Sequence, residues 1–393
     1  MADLIKHAKF SDAERYVLDV VPFGNTQLSE SGANLVKFRL PRQDILLGQD
    51  ITFNFTAEAD GDGASDDAFL SNIACIWDTM TISVEGETVQ HVREYGHLQC
   101  IDDNLRWKDS YRNSWGVICQ GVPTLSSSGT AVKYSMRLLH GNFLSNIIPT
   151  YKLGQIEVEF QLDQTLSKYT EATTAVTEVD VTLMTLKCPY VKSDELKAGY
   201  DSQDVVANFT DYDHHRDTSL LVGATSHTTI VPTSHKSVSG ILYTMRNQAD
   251  VQDPNSGLEK YQSAYVTNAL TRLSFIIDGV QHPKREIRCE QQVELYTALV
   301  EYANHRKGSC YEAPDFFTGA YDTATDGQFV IAYPFNAFTG SEQTVSGLNT
   351  AQRTGQLEVH LTCTASVTTQ IDLWIRYDRM VKFLANGGIQ ISK

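Results

Sequence analysis

Alternation of apolar and polar positions dominates this chain, and it is clearest just after Gly154. Ile156, Val158, Phe160 and Leu162 fall on one side, and Gln155, Glu157, Glu159 and Gln161 on the other. A period of two is what a strand with one face on a core and one in water requires. The pattern returns after Gly355, where Leu357, Val359, Leu361 and Cys363 oppose Gln356, Glu358, His360 and Thr362. Three further echoes keep the same order. Met80 to Gly86 matches Leu273 to Gly279, each an alternating strand that closes on an acidic residue plus Gly, a hairpin-turn dipeptide. Thr177 to Leu183 matches Thr369 to Ile375, and Ile51, Phe53 and Phe55 match Ile241, Tyr243 and Met245. The offsets are 193, 192 and 190, against 201 at the Gly-Gln strand. Four matches in one order at nearly one offset predict two copies of one β domain, the second with a few extra loop residues before its Gly-Gln strand.

The remaining pattern fills in both copies. Strands are expected over Asn34–Leu40, Ile51–Phe55, Val132–Leu139 and Val179–Leu186 in the first. The second has Thr228–Val231, Ile241–Met245, Phe329–Tyr333, Gln356–Cys363 and Gln370–Tyr377. Helical spacing predicts a helix within Val92–Trp107 and a clearer one over Glu290–His305, with Val293, Tyr296, Leu299, Val300 and Ala303 as its apolar stripe. Long loops are expected at Tyr111–Thr130 and Gly308–Thr325. Lys192 to Asp217 is polar, with Asp201, Asp204, Asp211, Asp213 and Asp217, and has no sustained period, so it reads as the boundary. The resulting division is an N-terminal arm 1–17, a first domain 18–195, a linker 196–217 and a second domain 218–393.

Composition changes this picture little. The chain has 393 residues, 41% hydrophobic and 20% charged, ample for a core in each half. Its net charge of −16 argues against a free-standing nucleic-acid binder, since phosphate neutralisation supplies most of such affinity. Lys284, Arg285 and Arg288 form one local basic patch. The opening residues show no apolar run of secretory length, and no window approaches a membrane span. The seven scattered cysteines (75, 100, 119, 188, 289, 310 and 363) read as reduced thiols. On that reading the sequons at Asn54 and Asn208 stay unmodified.

Candidate chemistry is sparse. No glycine-rich phosphate loop, HExxH, GxSxG or paired CxxC is present. The aspartate-rich run 60–67 superficially matches a calcium loop, but position twelve is Ser71 rather than Glu, so a solvated turn is expected. His214 and His215 sit among Asp211, Asp213 and Asp217, yet adjacent side chains of an extended segment point apart. Glu157 and Glu159 read as the polar face of their strand, since acid–base hydrolysis would need a second carboxylate across a cleft. Trp107, Tyr111 and Trp115 could stack a sugar or base, or pack a long loop. The expectation is no catalytic, cofactor or metal site, no cofactor, and an assembly or binding protein rather than an enzyme. Spacing alone does not distinguish Greek-key from jelly-roll topology.

With the repeat in place, the sequence resembles the double jelly-roll major capsid proteins of adenovirus hexons, tailless icosahedral DNA phages, virophages and Polinton-like viruses. The resemblance spans residues 18–393. It is carried by the strand ending at Asp278-Gly279 with Pro283 and the Tyr-bearing helix after it, and by Leu70–Trp77 before the equivalent first-half strand. Asn142-Phe143 leading through Gly154-Gln155, and the closing strands Gly355–Cys363 and Ile371–Tyr377, complete it. It implies an all-β fold of two tandem eight-stranded jelly rolls with short helices in the loops. It further implies homotrimeric, pseudo-hexameric capsomers tiling an icosahedral virion shell assembled inside the host cell. The implied partners are neighbouring capsomers, penton and minor capsid proteins, and an internal membrane or minor proteins at the inner face for residues 1–16. No specific nucleic-acid recognition is implied. The competing reading is a tandem β-sandwich glycan-binding or viral attachment protein resting on Trp107 and Trp115; an enzyme using Glu157 stands third.

Overall fold

A computed structural model describes residues 12–29, 31–61, 68–69, 72–106, 112–120, 131–164, 170–171, 176–252, 266, 268–277, 279–289, 292–303, 330–336, 347–351 and 356–391. Sixteen strands of five or more residues are described, eight in each half. The first half has β1 (Glu14–Val20), β2 (Leu35–Arg39), β3 (Thr52–Gly61), β4 (Trp77–Val84), β5 (Glu87–Arg93), β6 (Val132–Arg137), β7 (Ile156–Leu162) and β8 (Val176–Lys192). The second has β9 (Val205–Leu220), β10 (Ser226–Pro232), β11 (Val238–Asn247), β12 (Arg272–Ile277), β13 (Val280–Arg288), β14 (Val330–Pro334), β15 (Gln356–Thr362) and β16 (Thr369–Phe383).

The first half forms two antiparallel sheets in the orders β1-β8-β3-β6 and β2-β7-β4-β5. The second half forms β9-β16-β11-β14 and β10-β15-β12-β13. Adding eight to each first-half label gives the second-half sheet. First strand beside last and second beside seventh is the order a jelly roll requires, so the chain is a double jelly roll. Among the described residues every strand ladder stays within its half.

The apolar face of β7 meets its partners in the first core. Phe53, Phe160 and Trp77 cluster with ring centroids 4.6–5.7 Å apart, all buried. Register also tests the echoes. Glu157 pairs with Ser83 and with Arg39; the matched Glu358 pairs with Ile276 and Ile230. Ser83 and Ile276 are positions that the sequence match equates. The other sheet departs from it. Val179 pairs with Ala59, whereas the matched Ile371 pairs with Met245, so Met245 corresponds to Ala59 rather than Phe55. The displacement is four residues, and a period-two pattern cannot detect an even shift because every side chain keeps its face.

Three further expectations change. Residues 196–217 are no linker: α2 (Asp194–Ser202), capped by Ser193, leads into the sixteen-residue β9, whose ladder with β16 runs from Val205 to Leu220. The aspartates that hid this strand are each matched: Asp211 to Arg379, Asp213 to His235 and Asp217 to His227. The arm ends earlier than residue 17, since β1 pairs with β8 from Glu14, and Tyr16 stacks on Tyr190 at 5.8 Å. Residues 1–11 lie outside the described set.

The helices are shifted as well. α1 spans Tyr95–Arg106, and Val92 belongs to β5. α3 spans Gln292–Tyr302, but its buried positions are Leu295, Ala298, Leu299 and Tyr302, with Ala303 beyond its end, while Val293 is 75% exposed. Apolar residues nearly surround this helix, so periodicity alone does not choose the face.

Candidate functional site at the seam between the halves

Most of β16 and β11 is buried on both faces: residues 369–376 and 238–246 are all buried. One face meets the sheet of its own half. On the other, the corner where β5 runs into α1 lies over Trp374. The Trp374 indole donates to the Arg93 carbonyl at 3.5 Å, and the His97 ring meets it edge-on at 5.0 Å. Further along, the Gln90 amide donates to the Thr210 carbonyl at 2.9 Å and accepts from the Phe143 N–H at 2.9 Å. Arg379 donates to the Val89 carbonyl at 2.6 Å, and the Thr210 N–H donates to the Gly141 carbonyl at 2.6 Å. Phe143 packs on Phe209 and Phe383. The seam is thus buried around Trp374 and Asp372 and bridged by hydrogen bonds at several further points, with two open cavities beside it, one lined by Gln90, Tyr212 and Arg379 and the other by Asp78, Glu94 and Arg216.

A charged cluster sits in it. Asp372 is fully buried and accepts from Arg246 at 2.5 Å, from Gln370 at 2.9 Å and from Arg216 at 2.9 Å. His214 lies 3.0 Å from the same carboxylate, and Arg216 reaches across to Glu94 of the first half. Burial alone would raise the pKa of Asp372; Arg246, His214 and Arg216 outweigh it and hold the carboxyl well below the usual range. His97 is held well below the usual histidine value, first by burial and then by the Arg246 cation. Asp78, near Glu94, is pushed up to about 6 by burial and by the Glu94 and Asp163 charges.

These shifts carry signs for stability. Folding keeps His97 neutral, whereas the unfolded chain takes up that proton below about 6.5, so stability falls as pH drops through this value. The slope this one group contributes approaches about 1.4 kcal/mol per pH unit. Asp78 acts oppositely, because its raised folded pKa adds a proton to the native state between about pH 6 and the ordinary carboxylate range. Urea unfolding of wild type and His97→Gln from pH 7 to 5 separates the two. The variant is expected to lose nearly one proton's worth of slope; parallel curves would contradict the assignment.

The sequence candidates fall into place around this seam. His214 joins Asp372, while His215, the next residue, does not. Among the described residues no three histidine, cysteine or acidic side chains gather as metal ligands. Glu157 and Glu159 face Arg39 and Lys37 across the β7–β2 pair, as a polar sheet face with its counter-charges. Arg137 lies over the Trp115 ring at 5.3 Å; Trp107 and Tyr111 are outside the described residues, as is most of the aspartate run 60–67. Lys284, Arg285 and Arg288 lie exposed on β13. Cys75, Cys100, Cys188, Cys289 and Cys363 are buried thiols, and Cys119 is half-buried.

The seam itself was missed. Gln370, Asp372, Trp374 and Arg376 alternate with apolar residues along β16; a tryptophan among them, with opposite charges on the same face, was the available signal.

No family model matches the chain. No curated protein matches it either. Solved structures do match. The PBCV-1 protein VP54, fitted into a reconstruction of the virophage Sputnik, superimposes with a TM-score of 0.72 at 10% identity, covering 98% of each chain. A chain of the Sputnik virophage structure matches with a TM-score of 0.65 at 10% identity, over 98% of this chain and 89% of that one. The Faustovirus major capsid protein matches with a TM-score of 0.61 at 9% identity, over 96% and 91%. The fold is therefore that of double jelly-roll major capsid proteins, end to end.

Proposed function

We propose that this chain is a viral major capsid protein, with a structural rather than enzymatic role in the virion shell. The observation that carries this reading is the extent of the likeness: both jelly rolls match, in order, over 98% of this chain and of the PBCV-1 protein. The seam adds a physical reason, since it ties two barrels into a single block. The chain divides into two jelly-roll bodies arisen by duplication, joined through α2. Three such blocks give six barrels in a ring, a nearly hexagonal tile. Obligate contacts between them bury thousands of Å² on the order expected for permanent oligomers, and the tile's outer edges meet neighbouring tiles, penton and minor capsid proteins.

Size-exclusion chromatography with light scattering tests the trimer. The expected mass is about three times the 43.8 kDa of the chain, maintained on dilution. A monomer at every concentration would count decisively against this reading.

A further inference from the structure

The corner that covers Trp374 is backed by a short turn. Ile73–Ile76 forms a single helical turn that opens at Asn72 and leads into β4. The helix α1 packs on it at Gly96. A Cβ on Gly96 would lie 2.7 Å from the Cys75 Cα, so only glycine lets the helix come this close. Cys100 follows one turn later on the same helix face, and helical side chains lean back towards the N-terminus. Its sulfur therefore returns to the turn. The Asn72 carbonyl accepts from the Cys75 N–H at 3.1 Å and from the Cys100 thiol at 3.9 Å. The Cys75 N–H also faces the Cys100 sulfur.

Both side chains are buried, Cys75 at 2% exposure and Cys100 at 7%. Only two covalent bonds separate the Cys75 nitrogen from its own Cβ. A change of side-chain rotamer therefore brings the two sulfurs within bonding reach. His97, the residue after Gly96, carries the ring that meets Trp374. A bond made at Cys100 thus acts on the same helix that closes the seam.

We propose that Cys75 and Cys100 are an oxidation site, closed by a peroxide into a disulfide that fastens α1 to the Ile73–Ile76 turn. The Cys100 sulfur, the more exposed of the two, attacks the peroxide and the O–O bond breaks, giving a sulfenic acid and one water. The Cys75 sulfur then attacks the sulfenic sulfur, the S–O bond breaks and a second water leaves. Both sulfurs are oxidised and one hydrogen peroxide is reduced. Burial pushes the Cys100 thiol well up, so little thiolate exists while the corner is closed. Oxidation therefore proceeds when α1 lifts, and its rate follows the opening of the corner. Once formed, the bond restrains the unfolded chain and keeps the corner on Trp374. Neither the site nor its test depends on the oligomeric reading above.

Hydrogen peroxide on the full chain provides the test, followed by denaturation, alkylation and peptide mass mapping. Wild type is expected to lose alkylation at Cys75 and Cys100 together and to yield a linked peptide that dithiothreitol separates. Cys75→Ser and Cys100→Ser are expected to give no such peptide, with circular dichroism as the fold control. The oxidised chain is expected to unfold in urea with an equilibrium constant at least tenfold smaller than the reduced chain. Trp374→Phe, which loosens the corner, is expected to form the link at least threefold faster. Peroxide that leaves both thiols free to alkylate, or carries each separately to sulfinic acid, would overturn the site. A link formed without a gain in stability, or at the wild-type rate in Trp374→Phe, would overturn its action on the seam.

Discussion

Replacing Asp372 with alanine is expected to cost about 3–5 kcal/mol of folding stability, the range for breaking a buried ion pair from one side. The reason lies in what remains. Arg246 is itself fully buried, and its guanidinium would lose the carboxylate that compensates it. Arg216 would keep Glu94 and suffer less. Asp372→Asn retains an acceptor but not the charge, so it should fall between wild type and alanine. Replacing both partners with apolar residues, Asp372→Leu with Arg246→Met, should recover much of the loss, because the cost comes from an uncompensated charge rather than from the absence of a pair. Equilibrium denaturation at pH 7 measures all three; a cost below about 1 kcal/mol for the alanine variant would show that Asp372 and Arg246 are not the buried pair described. Acid adds a check with a fixed sign. A carboxyl whose folded pKa is depressed contributes stability above its unfolded value of about 3.9, and that contribution is lost as pH falls through the folded value. The Asp372→Asn variant should therefore show a flatter stability curve below pH 4.

The second large effect is at Trp374. It is fully buried between the halves, flanked by His97 and His214 at 5.0 and 5.1 Å. Trp374→Ala should cost about 3–5 kcal/mol through lost contact and the cavity left behind. Its signature differs from that of a core substitution within either barrel. Phe160→Ala would weaken the first jelly roll alone. Trp374→Ala weakens the coupling, so calorimetry is expected to resolve one cooperative transition into two. A single, merely earlier transition would mean that the halves are coupled elsewhere.

In the β2-β7-β4-β5 sheet and its second-half counterpart, β2, β4 and β7 and their matches β10, β12 and β15 were legible in sequence as alternating or apolar runs, whereas β5 and β13 lack clean alternation and were not. Alternation at Ile156–Leu162 and Leu357–Cys363 then fixes the strand and which of its faces is buried. The other sheet was half legible. Its echoes gave the correct strands, but an even displacement at β3 left the pattern intact and so passed unseen. β9 was hidden because three of its aspartates look like solvent-facing residues when each has a partner on another strand or loop. The seam was hidden for a related reason. Polar residues on an amphipathic strand signify water only when nothing else covers that face, and the covering corner lies some 280 residues away in sequence, at Arg93 and His97 against Trp374. The side-chain pattern records burial in one sheet and cannot say which body supplies it.

Electron microscopy of the purified chain in negative stain tests the central claim most directly, that two jelly rolls locked at one seam form the repeating unit of a six-sided tile. The account predicts class averages with six lobes and three-fold symmetry. Isolated two-lobed particles at every concentration would contradict it.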